Sequence, residues 1–222
     1  KQAKRYDRAS QFAIVASKEA MLDSGINEEN TDLDNVAVIM GSGIGGITTL
    51  QNQCFAYNEK GRSRISPLFI PMSIVNMVAG NVSMELKLKG ESLTMSSACA
   101  SATHAIGEAY RIIKNGYEDA AIAGGAEAPI CEVSVGGFEN MKALSHATDK
   151  DRASIPFDKE RSGFVMGEGS GMLMLEELEH AKKRNAKIYA EIIGYGATSD
   201  AYHITSPDPT GNGGARAMER AL

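Results

Sequence analysis

The sequence predicts an α/β protein, and three observations carry that reading. Two runs, Asn35-Val-Ala-Val-Ile-Met40 and Asp119-Ala-Ala-Ile-Ala-Gly-Gly125, are too short for most helices and nearly all apolar, as strands buried on both faces are. A long segment of helical period separates the second run from the β-prone Glu91-Ser-Leu-Thr-Met-Ser-Ser97, giving the strand–helix–strand order of a parallel crossover. Strands and helices continue to alternate downstream, the pattern of layered α/β packing.

The elements follow in order. From Asp7 to about Ser24, Phe12, Val15, Ala16 and Ala20 recur at helical spacing and Gly25 supplies the C-terminal stop, so the segment reads as an amphipathic helix. The strand at 35–40 enters a glycine-rich turn, Gly41-Ser-Gly-Ile-Gly-Gly46. Residues 51–70 are mixed and polar. The stretch Ile70 to Gly80 then resumes a helix-compatible pattern, with Pro71 suited to a first turn. From Cys99 a long helix places Ala102, Ile106, Ala109, Ile112 and Ile113 on one face and ends at Asn115-Gly116. After the strand at 119–125, a glycine-rich segment, Gly163 to Gly171, leads into a strand, Gly171-Met-Leu-Met-Leu175. A charged surface helix follows over Glu176–Asn185, and Ala186–Gly194 returns to strand character. Thr198–Gly214 reads as a loop before a last helix from Ala215.

Composition narrows the class. With 43% apolar residues over 222 positions the chain can bury a sizeable core in one or two domains. No stretch approaches the roughly 18 consecutive apolar residues of a membrane span, and no signal segment opens the sequence, so a soluble, cytoplasmic protein is expected. Cys54, Cys99 and Cys131 are odd in number and irregularly spaced, which predicts free thiols and no metal site. A net charge of −5 and few aromatic residues argue against nucleic-acid binding. Against that background Lys1, Lys4, Arg5 and Arg8 form a local basic cluster, which reads equally as a patch for an acidic partner protein and as a solvated helix entry. The sequence lacks an initiator Met and its last helix has no Gly, Asn or Pro stop, so it reads as a piece of something longer.

Cys99 stands where a strand gives way to a helix. A sulfur there lies beside unsatisfied backbone N–H groups and the positive end of the helix dipole, a setting that favours the thiolate. The small neighbours Ala98, Ala100, Ser101 and Ala102 leave room for a bulky group, but they also fit close helix–strand packing. Free cysteine is among the most buried residue types, so position alone favours a structural thiol.

The wider sequence changes that balance. Ser96-Ser-Ala-Cys99-Ala-Ser-Ala-Thr-His-Ala-Ile-Gly107 resembles the nucleophile segment of β-ketoacyl-acyl-carrier-protein synthases. Ala123–Ala128, Gly136-Gly-Phe138, Ala143-Leu-Ser145, Arg152–Gly169 and Ser199-Asp-Ala-Tyr-His203-Ile-Thr-Ser-Pro207 resemble further segments of that family, in family order. Together they cover essentially the whole chain, and they are most similar to the stand-alone bacterial type II enzymes.

The resemblance implies a thiolase-like layered α-β-α-β-α fold, incomplete here, with residues 1–185 forming most of the N-terminal half and residues 186–222 beginning the C-terminal half. It implies that Cys99 accepts an acyl chain as a thioester and that malonyl-loaded acyl carrier protein then condenses with it, losing CO2. By the same route Ile74 and Phe138 line the acyl pocket, His203 lies at the mouth of the site, and Lys1, Lys4 and Arg5 dock the acidic acyl carrier protein. A homodimer and no cofactor are also implied. The family's two catalytic histidines fall in motifs beyond residue 222, so the 222 residues alone are expected not to condense substrates. Of the remaining histidines, His104 is expected to pack or bond locally behind Cys99, His146 lies in a loop and His180 on a charged face.

Several rival readings bear on the same residues. Gly41–Gly46 fits the G-x-G-x-x-G pattern of dinucleotide-binding enzymes, yet that unit needs a second strand ending in Asp or Glu about 20 residues on, and Gln51–Lys60 is not strand-like. The turn reads instead as shaping the floor near the acyl site. A thiolase working on coenzyme A shares the implied fold, but the Phe157-Asp-Lys-Glu-Arg161 and Asp200-Ala-Tyr-His203 segments favour carrier-protein synthases. Polyketide ketosynthases remain close relatives, whereas their non-catalytic partner subunits usually lack the cysteine.

Overall fold

A computed structural model describes residues 2–222; Lys1 lies outside the described residues. Its centre is a four-stranded sheet of order β2-β1-β3-β4, comprising β1 (Val36–Gly41), β2 (Ser92–Met95), β3 (Ala120–Glu127) and β4 (Gly169–Glu176). β1 runs parallel to both β2 and β3, so it lies between the two strands of the crossover, and β4 closes the sheet antiparallel to β3. All six residues of β1 are buried, as an all-apolar central strand requires.

Helices cover both faces. On one, α1 (Arg8–Ser24) and α4 (Met77–Leu86) meet Val36, Val38, Met40, Ala120 and Ile122 through Ala13, Ile14, Val78 and Val82. On the other, α5 (Ser101–Lys114) packs Ala105, Ala109 and Ile112 against Ala37, Ile39, Ala121 and Ala123. The alternation along β1 sends successive side chains to these two cores. The result is three layers, α-β-α, one sheet of the layered fold with its helical covers. The buried stripe of α5 is rotated from the expected one: Ala105 and Gly107 are inside, while Ala102, Ile106 and Ile113 are half-buried at its margins.

Local chemistry accounts for the helix ends. Asp7 caps α1 by accepting from the Ala9 N–H, and its second oxygen accepts from the Thr49 hydroxyl at 2.6 Å, tying α1 to α2 (Ile47–Lys60). Gly25 stops α1 in the left-handed conformation. Two local expectations need correction, and one stretch to which the sequence assigned no element proves helical. The polar stretch 51–60 is the body of α2; its weak apolar period hides a helix that buries only Gln51. The single helix read over 70–80 is two, α3 (Phe69–Ser73) and α4, because Ile74 turns extended between them.

Residues 186–194 form no strand. Two strands must pair to make a ladder, and this segment runs instead along helices: Tyr110 on α5 donates to the Ile193 carbonyl, and Tyr189 donates to Asp23 on α1. Gly194 and Gly196 give passage to the last helix, α8 (Asn212–Ala221), since a Cβ on either would meet a carbonyl oxygen of that helix.

Two smaller helices complete the chain, α6 (Glu132–Asn140) and α7 (Leu178–Lys183). Behind α7, Arg184 grips Glu176 with two bonds of 2.6 Å and donates to the Ser24 carbonyl at the end of α1. Burial alone would raise the Glu176 carboxyl; the Arg184 and His180 bonds outweigh it and hold it below the ordinary carboxylate value.

Candidate active site

The parallel strands run out at one edge of the sheet, where β1 ends in Gly41 and β3 carries Gly125 at the same register position, two residues before its own end. The start of α5 sits on this pair. A Cβ on Gly41 would lie 2.4 Å from the Ala102 nitrogen, and one on Gly125 would lie 2.7 Å from the Ala102 methyl. Only a side-chain-free floor lets the helix start so close to the strand ends. The turn between β2 and α5 is therefore pressed onto the carboxyl edge of the sheet, where open α/β sheets carry their sites.

Cys99 lies in that turn. β2 stops at Met95, Ser96 and Ser97 turn, Ala98 takes a left-handed φ of +50°, and a 3-10 turn over Ala98–Ala100 feeds α5. A non-glycine residue in that region is uncommon and marks a turn under constraint. The sharp strand–turn–helix corner leaves Cys99 exposed, as its neighbour Ala98 is. The buried hydroxyl of Ser101 accepts from the Ser97 N–H at 2.9 Å and donates to the Ala98 carbonyl at 2.7 Å. His104 bonds locally as expected, its Nδ1 2.6 Å from the Ser97 hydroxyl.

The glycine turn after β1 forms the adjoining wall. Ser96 donates to the Gly43 carbonyl at 3.2 Å, and a Cβ on Gly43 would meet Ala98. Glu127, the last residue of β3, accepts from the Gly43 N–H at 2.6 Å, from the Ser42 hydroxyl at 3.0 Å and from the Ile44 N–H at 3.4 Å. A carboxylate of the chain's own thus occupies the donors that a bound phosphate would need, which disposes of the dinucleotide reading better than the missing strand does. The turn thus stands beside Ala98, next to Cys99. Ser42, Ile44 and Glu127 were not singled out in the sequence; Glu127 is 84 residues from Gly43, and no local pattern marks such a pairing.

The other expected site residues fare differently. Ile74 follows α3, half-exposed, and its neighbours Ser73 and Val75 pack on Gly45 and Gly46, so Ile74 stands one turn removed from the Cys99 corner. Phe138 on α6 meets the Phe164 ring edge to face at 5.2 Å and has no direct link to that corner among the described residues. Phe164 is held by the Ala143–Ser145 strip, and Gly163 must be glycine there, with φ +145° and the Leu144 backbone 2.5 Å from any added Cβ. His203 lies in its own loop and accepts from the Thr205 and Ser206 N–H groups through Nδ1, bonds that serve the loop itself. Lys4 and Arg5 are exposed in a 3-10 turn, Gln2–Arg5, while Arg8 is drawn out of the basic cluster by a 2.6 Å ion pair with Glu168. No helix among the described residues is long and apolar enough to cross a membrane.

Comparisons with known proteins match this architecture. The family model for the N-terminal domain of β-ketoacyl synthase matches residues 1–181. The chain is 48% identical over 222 residues to 3-oxoacyl-[acyl-carrier-protein] synthase 2 of Staphylococcus aureus, and 48% identical over 223 aligned positions to the protein of that name in Synechocystis. It spans about half the length of these curated relatives, 54% in each case. Among solved structures, a ketosynthase of a type II polyketide system, in complex with its acyl-carrier protein and bound to a hexaketide, superposes with a TM-score of 0.93 at 32% identity. That likeness covers 97% of this chain and 54% of the other. A β-ketoacyl synthase of Burkholderia phymatum superposes at 0.87 with 36% identity, over 98% and 53% of the two chains.

Proposed function

Since the chain belongs to the β-ketoacyl synthase family, we propose that it forms part of a 3-oxoacyl-acyl-carrier-protein synthase of fatty-acid elongation with Cys99 as its nucleophile. The observation that carries the proposal is the exposed thiol at a constrained strand–turn–helix corner, seated on two register-matched glycines. In the first half-reaction the Cys99 sulfur attacks the acyl thioester of a loaded carrier protein. The carbonyl becomes a tetrahedral oxyanion, and its collapse expels the carrier thiolate and leaves the acyl group on sulfur. The N–H groups of Ala100 and Ser101 are committed to the Ser97 and Ala98 carbonyls, which leaves the Cys99 N–H as the turn's donor to that oxyanion. In the second half-reaction malonyl-carrier protein loses CO2, and its carbanion attacks the Cys99 thioester to give the 3-oxoacyl product and the free thiol.

The remaining roles belong to the same reading. Ile74 and Phe138 line the acyl channel; Ile74 does so from beside the glycine turn and Phe138 through the Phe164 contact. His203 stands at the mouth of the site, and Lys1, Lys4 and Arg5 receive the acidic carrier protein. Residues 1–185 make up most of the N-terminal half, a division supported by the break in regular structure that precedes α8. The histidines that assist decarboxylation lie outside this sequence, so the 222 residues alone yield no condensation product. A cytoplasmic homodimer completes the proposal. The higher identity to fatty-acid synthases, 48% against 32% for the polyketide enzyme, favours fatty-acid chemistry.

The deciding experiment is intact mass of the full-length protein after incubation with acyl-carrier protein, with the adduct mapped to a peptide. An acyl group on Cys99, absent from Cys99→Ala, is expected. An adduct that persists in Cys99→Ala would assign the chemistry to another thiol.

A further inference from the structure

We infer that Ser101 is a positioning residue for the nucleophile, its buried hydroxyl holding Ala98 in the left-handed conformation that aims Cys99. The inference rests on Cys99 as the acyl acceptor. Ala98 has φ +50° without glycine's freedom, and L-residues leave that region unless their surroundings hold them. Two backbone groups flank the Ala98 corner, the Ser97 N–H before it and the Ala98 carbonyl after it. The Ser101 hydroxyl takes both, accepting at 2.9 Å and donating at 2.7 Å. With donor and acceptor both engaged, turning the hydroxyl hydrogen away from the Ala98 carbonyl breaks the bond that it donates, and moving Oγ breaks both.

Ser101 is itself held firmly. It is 4% exposed, and its backbone lies 2.4–2.5 Å from where a Gly41 Cβ would be. The brace is thus anchored to the sheet while the residue it braces stands in solvent. An alanine at position 101 fits the same space but strips the Ser97 N–H of its acceptor and leaves the Ala98 carbonyl only the Ser101 N–H, and Ala98 is then free to relax to negative φ. Such relaxation swings the next residue, Cys99, away from the wall formed by Gly43. The thiol survives; its aim does not.

The test is a double-mutant cycle on the full-length protein, reading the rate of Cys99 acylation by acyl-carrier protein through peptide mass, with far-UV circular dichroism and thermal melts as folding controls. Ser101→Ala is expected to slow acylation about tenfold, the size of the left-handed penalty for a residue bearing a Cβ. Adding Ala98→Gly removes that penalty, so in the glycine background Ser101→Ala is expected to cost less than about threefold. Equal effects in both backgrounds, or wild-type acylation by Ser101→Ala, would overturn the inference while leaving Cys99 in its role. If Ser101→Ala alone does not fold, rescue of folding by Ala98→Gly is the same predicted coupling, and a double variant that also fails overturns it. Absence of any Cys99 adduct in the wild type would instead remove the proposed function.

Discussion

Replacing Gly41 by alanine is expected to cripple the site while changing one methyl group. The added carbon would lie 2.4 Å from both the Ala102 nitrogen and the Ser101 carbonyl carbon, all backbone atoms that cannot rotate aside. Ordinary contact of about 3.4 Å is restored only if the first turn of α5 lifts by roughly 1 Å, and overpacking of this kind costs about 1–3 kcal/mol. Cys99 rides on that turn. A displacement of about 1 Å at a reacting group costs on the order of 100-fold in rate. Acylation of Cys99 by acyl-carrier protein, followed by peptide mass, should therefore fall on the order of 100-fold in Gly41→Ala, with the thermal midpoint lowered by several degrees. Gly136→Ala is the control: nothing lies within 4 Å of its Cβ, and inside α6 alanine is the better helix former. Wild-type acylation by Gly41→Ala would refute the claim that a bare strand end seats the nucleophile helix.

Arg184→Met should destabilise the fold by about 3 kcal/mol in a denaturant titration, because it leaves the buried Glu176 carboxylate with His180 alone and takes the side-chain donor from the Ser24 carbonyl. Glu176 is held below its ordinary value of 4.5, so its contribution is fully present above that pH and is lost as pH falls through the depressed folded-state value; the acid limb of a stability–pH curve should flatten in Glu176→Gln. Ser17→Ala should raise stability by about 1 kcal/mol, since the Ser17 hydroxyl is fully buried on α1 with no hydrogen-bond partner among the described residues; a loss on chemical denaturation would show a partner after all. Lys4→Glu with Arg5→Glu should raise the apparent KM for carrier-protein substrates and flatten its salt dependence, leaving kcat near wild type. No change in either would detach this basic turn from docking.

The strands at 36–41 and 120–127, the long α1 with its Asp7 and Gly25 ends, and the strand-to-helix change at Cys99 were all legible in the sequence. Each is written in a short window: an unbroken apolar run, a 3.6-residue period, a capping residue. The helix over 47–60 escaped because it buries a polar Gln51 and shows little periodicity, and the false strand at 186–194 arose because β-prone composition says nothing of whether a partner strand is present. Nothing in a linear reading pairs Glu127 with the Gly43 N–H or brings Gly41 level with Gly125.

By itself, then, the sequence determined the class of fold and the family likeness and singled out the cysteine proposed as nucleophile, since all of these rest on residue types and spacings within a few turns of chain. Tertiary structure alone decided how that cysteine is held: which glycines bear the helix, which carboxylate fills the neighbouring turn, and which hydroxyl braces the left-handed Ala98. Such contacts join residues whose separation in sequence is arbitrary, and they become definite only when the strands of the sheet come into register.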